Sequence, residues 1–378
     1  MAQEPTPPSA ADMTVVKTSR TPDELRKRLQ TWLATTTGDP QATVGPVSSP
    51  AATGMSSESL FFDAAWRGAD GDVNGSFVAR LAPAAEDVPV FREYDLEKQY
   101  RLMALVGERS SVPVPGLRWL ETDPQPLGVP FFVMDRVDGR VPPDLPPYAM
   151  DGWVRDLTPT DRRALQDKSV AVLAGVHDID IADGGADFLE LPAALGATPL
   201  RRHFADQRAF YDWVVEGCGR HFPLIERAFD WLDANWPTVE PASAISWGDA
   251  RIGNIMYAAE GTDPVAVLDW EMAAIAPPGL DVAWMCWLHR FFEHVLGKYG
   301  IDTLPDMFHT EDVRNTYGEL TGRDVGDLRF ETVYNATSHA AVMARIHARS
   351  VHFGTEEWPA DPDEVWRFKD LLRELIGD

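Results

Sequence analysis

The stretch Ser246-Trp247-Gly248-Asp249-Ala250-Arg251-Ile252-Gly253-Asn254-Ile255-Met256 holds an Asp with an Asn five positions later. Fifteen residues beyond Asn254, a short apolar run at 265–268 ends in Asp269. An Asp, an Asn and a second Asp in this order suit phosphoryl transfer. One carboxylate, Asp249, receives and deprotonates a hydroxyl, while the amide of Asn254 and the carboxylate of Asp269 offer oxygens to Mg²⁺ held against ATP. Gly248 and Gly253 break a helix, so Asp249 to Asn254 reads as a loop that can turn both side chains to one centre. On a helix, residues five apart point in clearly different directions. The apolar run predicts a strand, a rigid mount for Asp269. Taken alone, either Asp reads first as a strand-end turn residue; the set in these flanks is what points to chemistry.

Such a set needs a frame. Thr21-Pro22-Asp23-Glu24 reads as a helix N-cap, a Pro at the first helical position and a capping acid. Leu25, Leu29, Trp32 and Leu33 then share one helical face, which must dock on something, and Gly38-Asp39-Pro40 stops the helix. Residues 43–81 read as β structure, with apolar runs at 59–66 and 76–81 joined by a long polar hairpin connection, 67–75. Leu96, Tyr100, Met103 and Val106 mark a helix, and strands are expected at 116–121 and 130–135. Pro142-Pro143-Asp144-Leu145-Pro146-Pro147 fits neither helix nor central strand and reads as a boundary loop. Beyond it helices dominate, at about 160–177, 201–217, 221–235, 280–297, 311–320, 329–350 and 362–376. The last has Asp361 as cap and Val365, Phe368, Leu372 and Leu375 on its apolar face. The layout is α+β in two lobes: a flexible tail and helix over 1–42, a β-rich N-terminal lobe over 43–137, and a mainly helical C-terminal lobe over 138–378.

Composition narrows the partners. With 44% hydrophobic residues and 13 Trp in 378 positions, the chain reads as globular. A net charge of −25 argues against binding nucleic acid or anionic membrane. The same acidity is compatible with a cationic acceptor and equally with a role in solubility alone. Cys218 and Cys286 lie far apart without zinc spacing and read as reduced thiols of a cytoplasmic protein, monomer or homodimer. No apolar run approaches the ~20 residues of a membrane span, and residues 1–13 lack the apolar core of a signal peptide.

Trp247 to Met256 resembles the signature HGD-x-x-x-x-N of the aminoglycoside phosphotransferase family. Val267-Leu268-Asp269-Trp270-Glu271 resembles its metal-binding segment, and Pro278-Gly279-Leu280-Asp281-Val282-Ala283-Trp284 its GDPxxDLAW helix start. The resemblance runs from about residue 25 to 350. It implies a two-lobed protein-kinase-like fold, ATP and Mg²⁺ as cofactors, and a small-molecule hydroxyl acceptor, with aminoglycosides, choline, homoserine and hydroxyacyl compounds all candidates. Gly54-Met55-Ser56-Ser57 resembles the phosphate loop, so Gly54, Ser56 and Ser57 would cradle phosphate; by itself the segment is an ordinary turn. Arg80 stands where relatives carry a Lys in the third strand, with Gln99 nearest the Glu that would brace it and Glu93 and Glu97 close by. The plain alternative for Arg80 is a strand-end surface cation. Phe131 to Gly139 resembles the connector between lobes, which implies that the Asp135 carbonyl and the Val137 N–H meet the adenine edge; a strand followed by an Asp-Gly turn reads equally well.

Several residues keep two readings. Trp247 replaces the family's leading His, a position that supports the loop. Arg251 suits a γ-phosphate contact or a structural salt bridge. Asp281 reads as a helix cap that also supports the Asp249 loop, and His177 as a structural histidine at a helix end. His339, His347 and His352 are spaced eight and five apart, which does not give the i, i+4 pair of a helical zinc site. Asp206, Asp212 and Glu216 read as an exposed helix face before a cation site. Two further readings compete with a kinase: a nucleotide-binding module without catalysis, and a metal-dependent hydrolase built on the same carboxylates.

Overall fold

The computed structural model describes residues 21–49, 57–69, 71–84 and 87–378. The expected tail at 1–20 and the phosphate-loop residues Gly54 and Ser56 lie outside these. The chain clusters into two compact units: the described residues up to Ala104 with Val114–Asp138, and Leu105–Pro113 with Gly139–Asp378.

The smaller unit is built on a five-stranded antiparallel sheet. Its strands are β1 (Thr43–Val44), β2 (Glu58–Gly68), β3 (Gly71–Leu81), β4 (Leu117–Glu121) and β5 (Phe131–Asp135), in the order β1-β2-β3-β5-β4. Burial alternates along the first half of β2, from Glu58 to Phe62, as expected of a strand with one packed face. Helix α1 (Pro22–Thr37) opens as its sequence predicts: Thr21 Oγ1 accepts from the Glu24 N–H at 3.4 Å, and Gly38 closes the helix at φ 71°. Its buried Leu25, Leu29, Trp32 and Leu33 dock on the sheet, where the Trp32 ring meets Phe131 edge-on at 4.8 Å and Trp119 at 5.7 Å. The Trp32 Nε1–H donates to Glu121 Oε2 at 2.9 Å, so the one polar atom of that ring is satisfied.

The long polar hairpin connection expected at 67–75 is strand instead. Pairing runs from Glu58↔Leu81 out to Gly68↔Gly71. Asp72, Asn74 and Arg67 are polar because the far end of this ladder is exposed, and backbone hydrogen bonding there does not require an apolar side chain.

The larger unit is mainly helical: α3 (Pro159–His177), α4 (Pro199–Cys218), α5 (Pro223–Ala234), α6 (Gly279–Gly297), α7 (Thr310–Thr321), α8 (Arg329–His352) and α9 (Lys369–Ile376). Thr158-Pro159 and Thr198-Pro199 repeat the cap-then-proline start of α1. Two short antiparallel ribbons carry the chemistry-bearing segments: β6 (Ala244–Ser246) with β9 (Ala274–Ala276), and β7 (Ile255–Tyr257) with β8 (Pro264–Val267). Helix α6 is buried on nearly every face, packed against α3, α7 and α8, and so is the rigid post beside these ribbons. The single helix expected at 362–376 is two pieces. Asp361 does cap, but it caps one 3₁₀ turn, Pro362–Val365, after which Trp366 is extended. Trp366 and Phe368 are both buried with exposed Arg367 between them, a period-two demand that a helix cannot meet. Among the described residues no helix is long and apolar enough to cross a membrane.

Trp32 is the clearest test of how α1 is held. Trp32→Ala should cost about 3 kcal/mol and lower the cooperative unfolding temperature measured by calorimetry. An unchanged transition would mean that α1 is not part of the folded sheet unit.

Candidate active site

The loop that carries Asp249 is suspended from one buried carboxylate. Asp281, in the first turn of α6 and 1% exposed, accepts through Oδ1 from Ser246 Oγ at 2.8 Å and the Gly248 N–H at 3.0 Å. Its Oδ2 accepts from the Trp247 N–H at 2.7 Å and from His177 Nε2 at 3.0 Å. Because His177 gives its Nε2 proton to Asp281, its Nδ1 is left to accept from Tyr317 OH at 2.9 Å. The expected helix cap is not what Asp281 provides: Pro278 holds the N-cap position without a side-chain cap bond, and the Asp281 carboxylate turns to the loop and to His177, whose ring is hydrogen-bonded at both nitrogens. Gly248 sits at φ 88°, and a Cβ there would lie 2.5 Å from the Met272 carbonyl oxygen, so the turn into Asp249 accepts only glycine.

Register then brings the predicted set together. Ile255 pairs with Val267, and the next step of the same ribbon is the Leu268 N–H donating to the Asn254 carbonyl at 2.9 Å. Asn254 and Asp269 thus stand at one end of the β7–β8 ribbon. Asn254 is buried, and its Nδ2 donates to Asp249 Oδ2 at 2.6 Å and to the Asp249 carbonyl at 3.0 Å. Both amide protons are committed to Asp249, which leaves the amide oxygen as the atom able to bind a cation. Asp269 holds a left-handed backbone, φ 61°, a conformation of order 1 kcal/mol uphill for a residue with a side chain. The Trp247 indole N–H donates to the carbonyls of Leu268 and Asp269 at 3.0 and 3.1 Å and pins that turn. The Trp that replaces the family's His is thus a loop support through its side chain.

Three donors surround the Asp249 carboxylate. Besides Asn254, the Trp284 Nε1–H reaches Oδ1 at 2.7 Å, and Arg251 Nε lies 3.2 and 3.1 Å from the two oxygens. Arg251 Nη1 binds a second carboxylate, Asp144, at 2.8 and 2.7 Å. Burial works against the Arg251 charge, but the Asp249 and Asp144 carboxylates outweigh it and hold the guanidinium firmly protonated. Gly253 makes room for it, since a Cβ at that position would collide with Arg251 Nη1 and approach Asp144 Oδ1 to 3.1 Å. Behind the site, His339 stacks on Phe368 at 4.7 Å and accepts from the Trp287 Nε1–H at 3.1 Å, so its proton sits on Nε2. Burial pushes its pKa down to about 3. That histidine is a packed, neutral ring, and among the described residues no three His, Cys, Asp or Glu side chains are grouped to hold a metal.

The remaining predicted residues lie in the smaller unit. Arg80, on β3, pairs across to Phe132 and reaches Ser59 Oγ through Nη1 at 3.4 Å. Gln99 is 2% exposed on α2 (Leu96–Arg109), whereas Glu93 and Glu97 are exposed, so the amide is the member of that trio that faces inward. Ser57 is buried immediately before β2. Asp135 ends β5 with its side chain held bidentately by Arg118 at 2.7 and 3.0 Å, and Val137 is half-buried two residues later.

Two members of the Asp249 cluster were not singled out from sequence. Trp284 lies one turn after Asp281 on α6, and that i, i+3 spacing puts both on the face turned to the loop, a usable signal. Asp144 sits in the proline-rich boundary loop, 107 residues from Arg251, where no local pattern marks it.

Comparison with known proteins places this geometry. The sequence profile of the phosphotransferase enzyme family matches residues 62–313, two thirds of the chain, and the chain belongs to that family. Probable acyl-CoA dehydrogenase IBR3 of Arabidopsis thaliana is 24% identical over 266 residues, 67% of this chain. The chain spans only 31% of that relative's length. Among solved structures, one from Ralstonia eutropha, provisionally described as an aminoglycoside phosphotransferase, superposes with a TM-score of 0.63 at 22% identity, covering 93% of this chain and 96% of its own. The GDP complex of aminoglycoside 2'-phosphotransferase-IIIa superposes with a TM-score of 0.54 at 14% identity, covering 93% and 98%. At these identities the likeness concerns the fold, and the expected kinase-like α+β architecture is borne out.

Two outcomes follow from the suspended loop. Asp281→Ala strands four donors and should cost roughly 3 kcal/mol in urea unfolding; a loss below about 1 kcal/mol would mean the loop does not hang from this carboxylate. Burial holds His289 to about 4 and His339 to about 3, below the ordinary 6.5. The unfolded chain therefore takes up protons first on acidification, and stability falls as pH drops from about 6.5 towards 4. His339→Gln should flatten that fall by roughly 3 kcal/mol, read as unfolding free energy against pH; an unchanged slope would show that His339 protonates normally.

Proposed function

We propose that the chain transfers the γ-phosphoryl group of ATP to a hydroxyl on a small molecule. The observation that carries this reading is the convergence of Asp249, Asn254 and Asp269 on one tied loop and ribbon end, in a chain of the phosphotransferase enzyme family. Nucleotide use is supported by the GDP bound to aminoglycoside 2'-phosphotransferase-IIIa.

Asp249 accepts the hydrogen bond of the acceptor hydroxyl and takes its proton as the oxygen bonds to the γ-phosphorus; the bond to the bridging oxygen breaks and ADP leaves. Positioning, more than covalent help, carries such a step. The Asn254 amide oxygen and the Asp269 carboxylate make a two-ligand oxygen set, which fits Mg²⁺ because that ion completes its shell with phosphate oxygens and water. When bound, the ion neutralises charge that develops on the phosphates. In the smaller unit, Arg80 steadies the nucleotide phosphates and Gly54, Ser56 and Ser57 cradle them. The Asp135 carbonyl and the Val137 N–H meet the adenine edge. Cys218 and Cys286 are both free thiols, in keeping with a reducing cytoplasm.

For the acceptor, the relative named as an acyl-CoA dehydrogenase favours a hydroxylated acyl compound over an aminoglycoside. This chain matches under a third of that protein, as a domain joined to other chemistry would. The solved structures, at 22% and 14% identity, do not favour either acceptor. A coupled ADP-release screen over hydroxyacyl thioesters, amino alcohols and aminoglycosides identifies the acceptor. Asp249→Ala should then lose at least about a thousandfold in turnover while calorimetric affinity for ATP stays within about threefold. Wild-type turnover in that variant would sink the proposal.

A further inference from the structure

A base must have an open lone pair to receive a hydroxyl, and Arg251 straddles the positions that the other donors leave on Asp249. A carboxylate offers about four acceptor positions. Three N–H donors cover them: Trp284 Nε1 on Oδ1, Asn254 Nδ2 on Oδ2, and the single Nε–H of Arg251, split across both oxygens and so lying over the two positions the others leave. One donor has to leave before an acceptor can bind. Asn254 and Trp284 make the short contacts, at 2.6 and 2.7 Å, from side chains that are buried and fixed: Asn254 by the ribbon, Trp284 on α6 with its ring edge against His339. Arg251 makes the long one, split between both oxygens at 3.1 and 3.2 Å, from a side chain that is 20% exposed. It alone among the three donors has a second carboxylate to go to: Asp144, bound through Nη1, 43% exposed and carried on a loop.

We propose that Arg251 occupies the position on Asp249 that the acceptor hydroxyl takes, and that Asp144 is the positioning residue that retains the guanidinium when the hydroxyl displaces it. This rests on the reading of Asp249 as the base. Asp144 keeps the displacement inexpensive, because Arg251 gives up only its split Nε contact while Nη1 stays on both Asp144 oxygens, so its charge is never left without a partner. Without Asp144 the guanidinium would have Asp249 as its one described carboxylate and would hold it more tightly. Gly253 belongs to the same device, since it leaves space for the guanidinium between the two acids.

The test is carboxylate footprinting of the full chain with a water-soluble carbodiimide and glycine ethyl ester, read at Asp249 by peptide mass spectrometry and needing no turnover. Arg251→Met should raise labelling of Asp249 about tenfold, and Asp144→Asn should lower it about threefold. In the Arg251→Met background, Asp144→Asn should change nothing, because the coupling runs through the arginine. Asp144→Glu should restore the wild-type level. Asp144→Asn acting equally in both backgrounds, or raising the labelling of Asp249, would overturn the proposal. Hydrolysis of Mg·ATP, with water as the smallest hydroxyl acceptor, is the kinetic arm: Asp144→Asn should lower kcat about tenfold with the KM for ATP unchanged. Should Asp249→Ala retain full turnover, the assignment of the base fails, while the footprint still decides how Arg251 is shared.

Discussion

The buried carboxylate of Asp281 is the constraint on which the geometry of the Asp249 loop depends. It collects a hydroxyl, two consecutive backbone N–H groups and an imidazole from segments that are otherwise unconnected: the end of β6, the turn at Trp247 and Gly248, and the last turn of α3. A buried carboxylate is costly unless its oxygens are satisfied, so once α6 is packed this acid admits few loop conformations. The same α6 turn presents Trp284 one step later, whose indole N–H fixes the orientation of Asp249. A single helix start thereby sets both where the loop hangs and which way its acid points.

Around that fixed point, the site is a balance of charges. Asp249 and Asp144 share one buried-edge arginine, and Asn254 and Trp284 supply neutral donors. Neutral donors orient a carboxylate without neutralising it, whereas the guanidinium also occupies it. On the proposed reading, the buried Asn254 and Trp284 hold the base and the partly exposed Arg251 blocks it. At the neighbouring ribbon end, the left-handed turn at Asp269 is kept in place by the Trp247 indole, so Trp at the family's His position still supports that turn.

Much of this was readable before any coordinates. The Thr21-Pro22 cap and the Gly38 stop located α1, because those signals act over one turn, and α3 to α8 lie within a few residues of the ranges expected for them. The Asp249, Asn254 and Asp269 set was legible because two glycines exclude a helix and a short strand must follow. The outer half of the β2–β3 hairpin was hidden, since its polar residues pair through backbone alone. The break before α9 was hidden because Trp366 and Phe368 each satisfy a helical pattern with some other neighbour; only tertiary burial shows that both must point inward. Asp144 was out of reach for a third reason. Its partner is more than a hundred residues away, and no spacing rule links an ion pair across such a distance.

We propose that this centre moves a phosphoryl group to an alcohol rather than cleaving it onto water or merely holding a nucleotide. Single-turnover tracing with ATP labelled at the γ-phosphorus, enzyme in excess, measures this directly in the presence of a hydroxylated acyl thioester. The account predicts that the label appears in an acid-stable phosphate monoester of the acceptor, and that Asp249→Ala leaves it on the nucleotide. Label released wholly as inorganic phosphate, or transferred equally well by the Asp249→Ala protein, would contradict it.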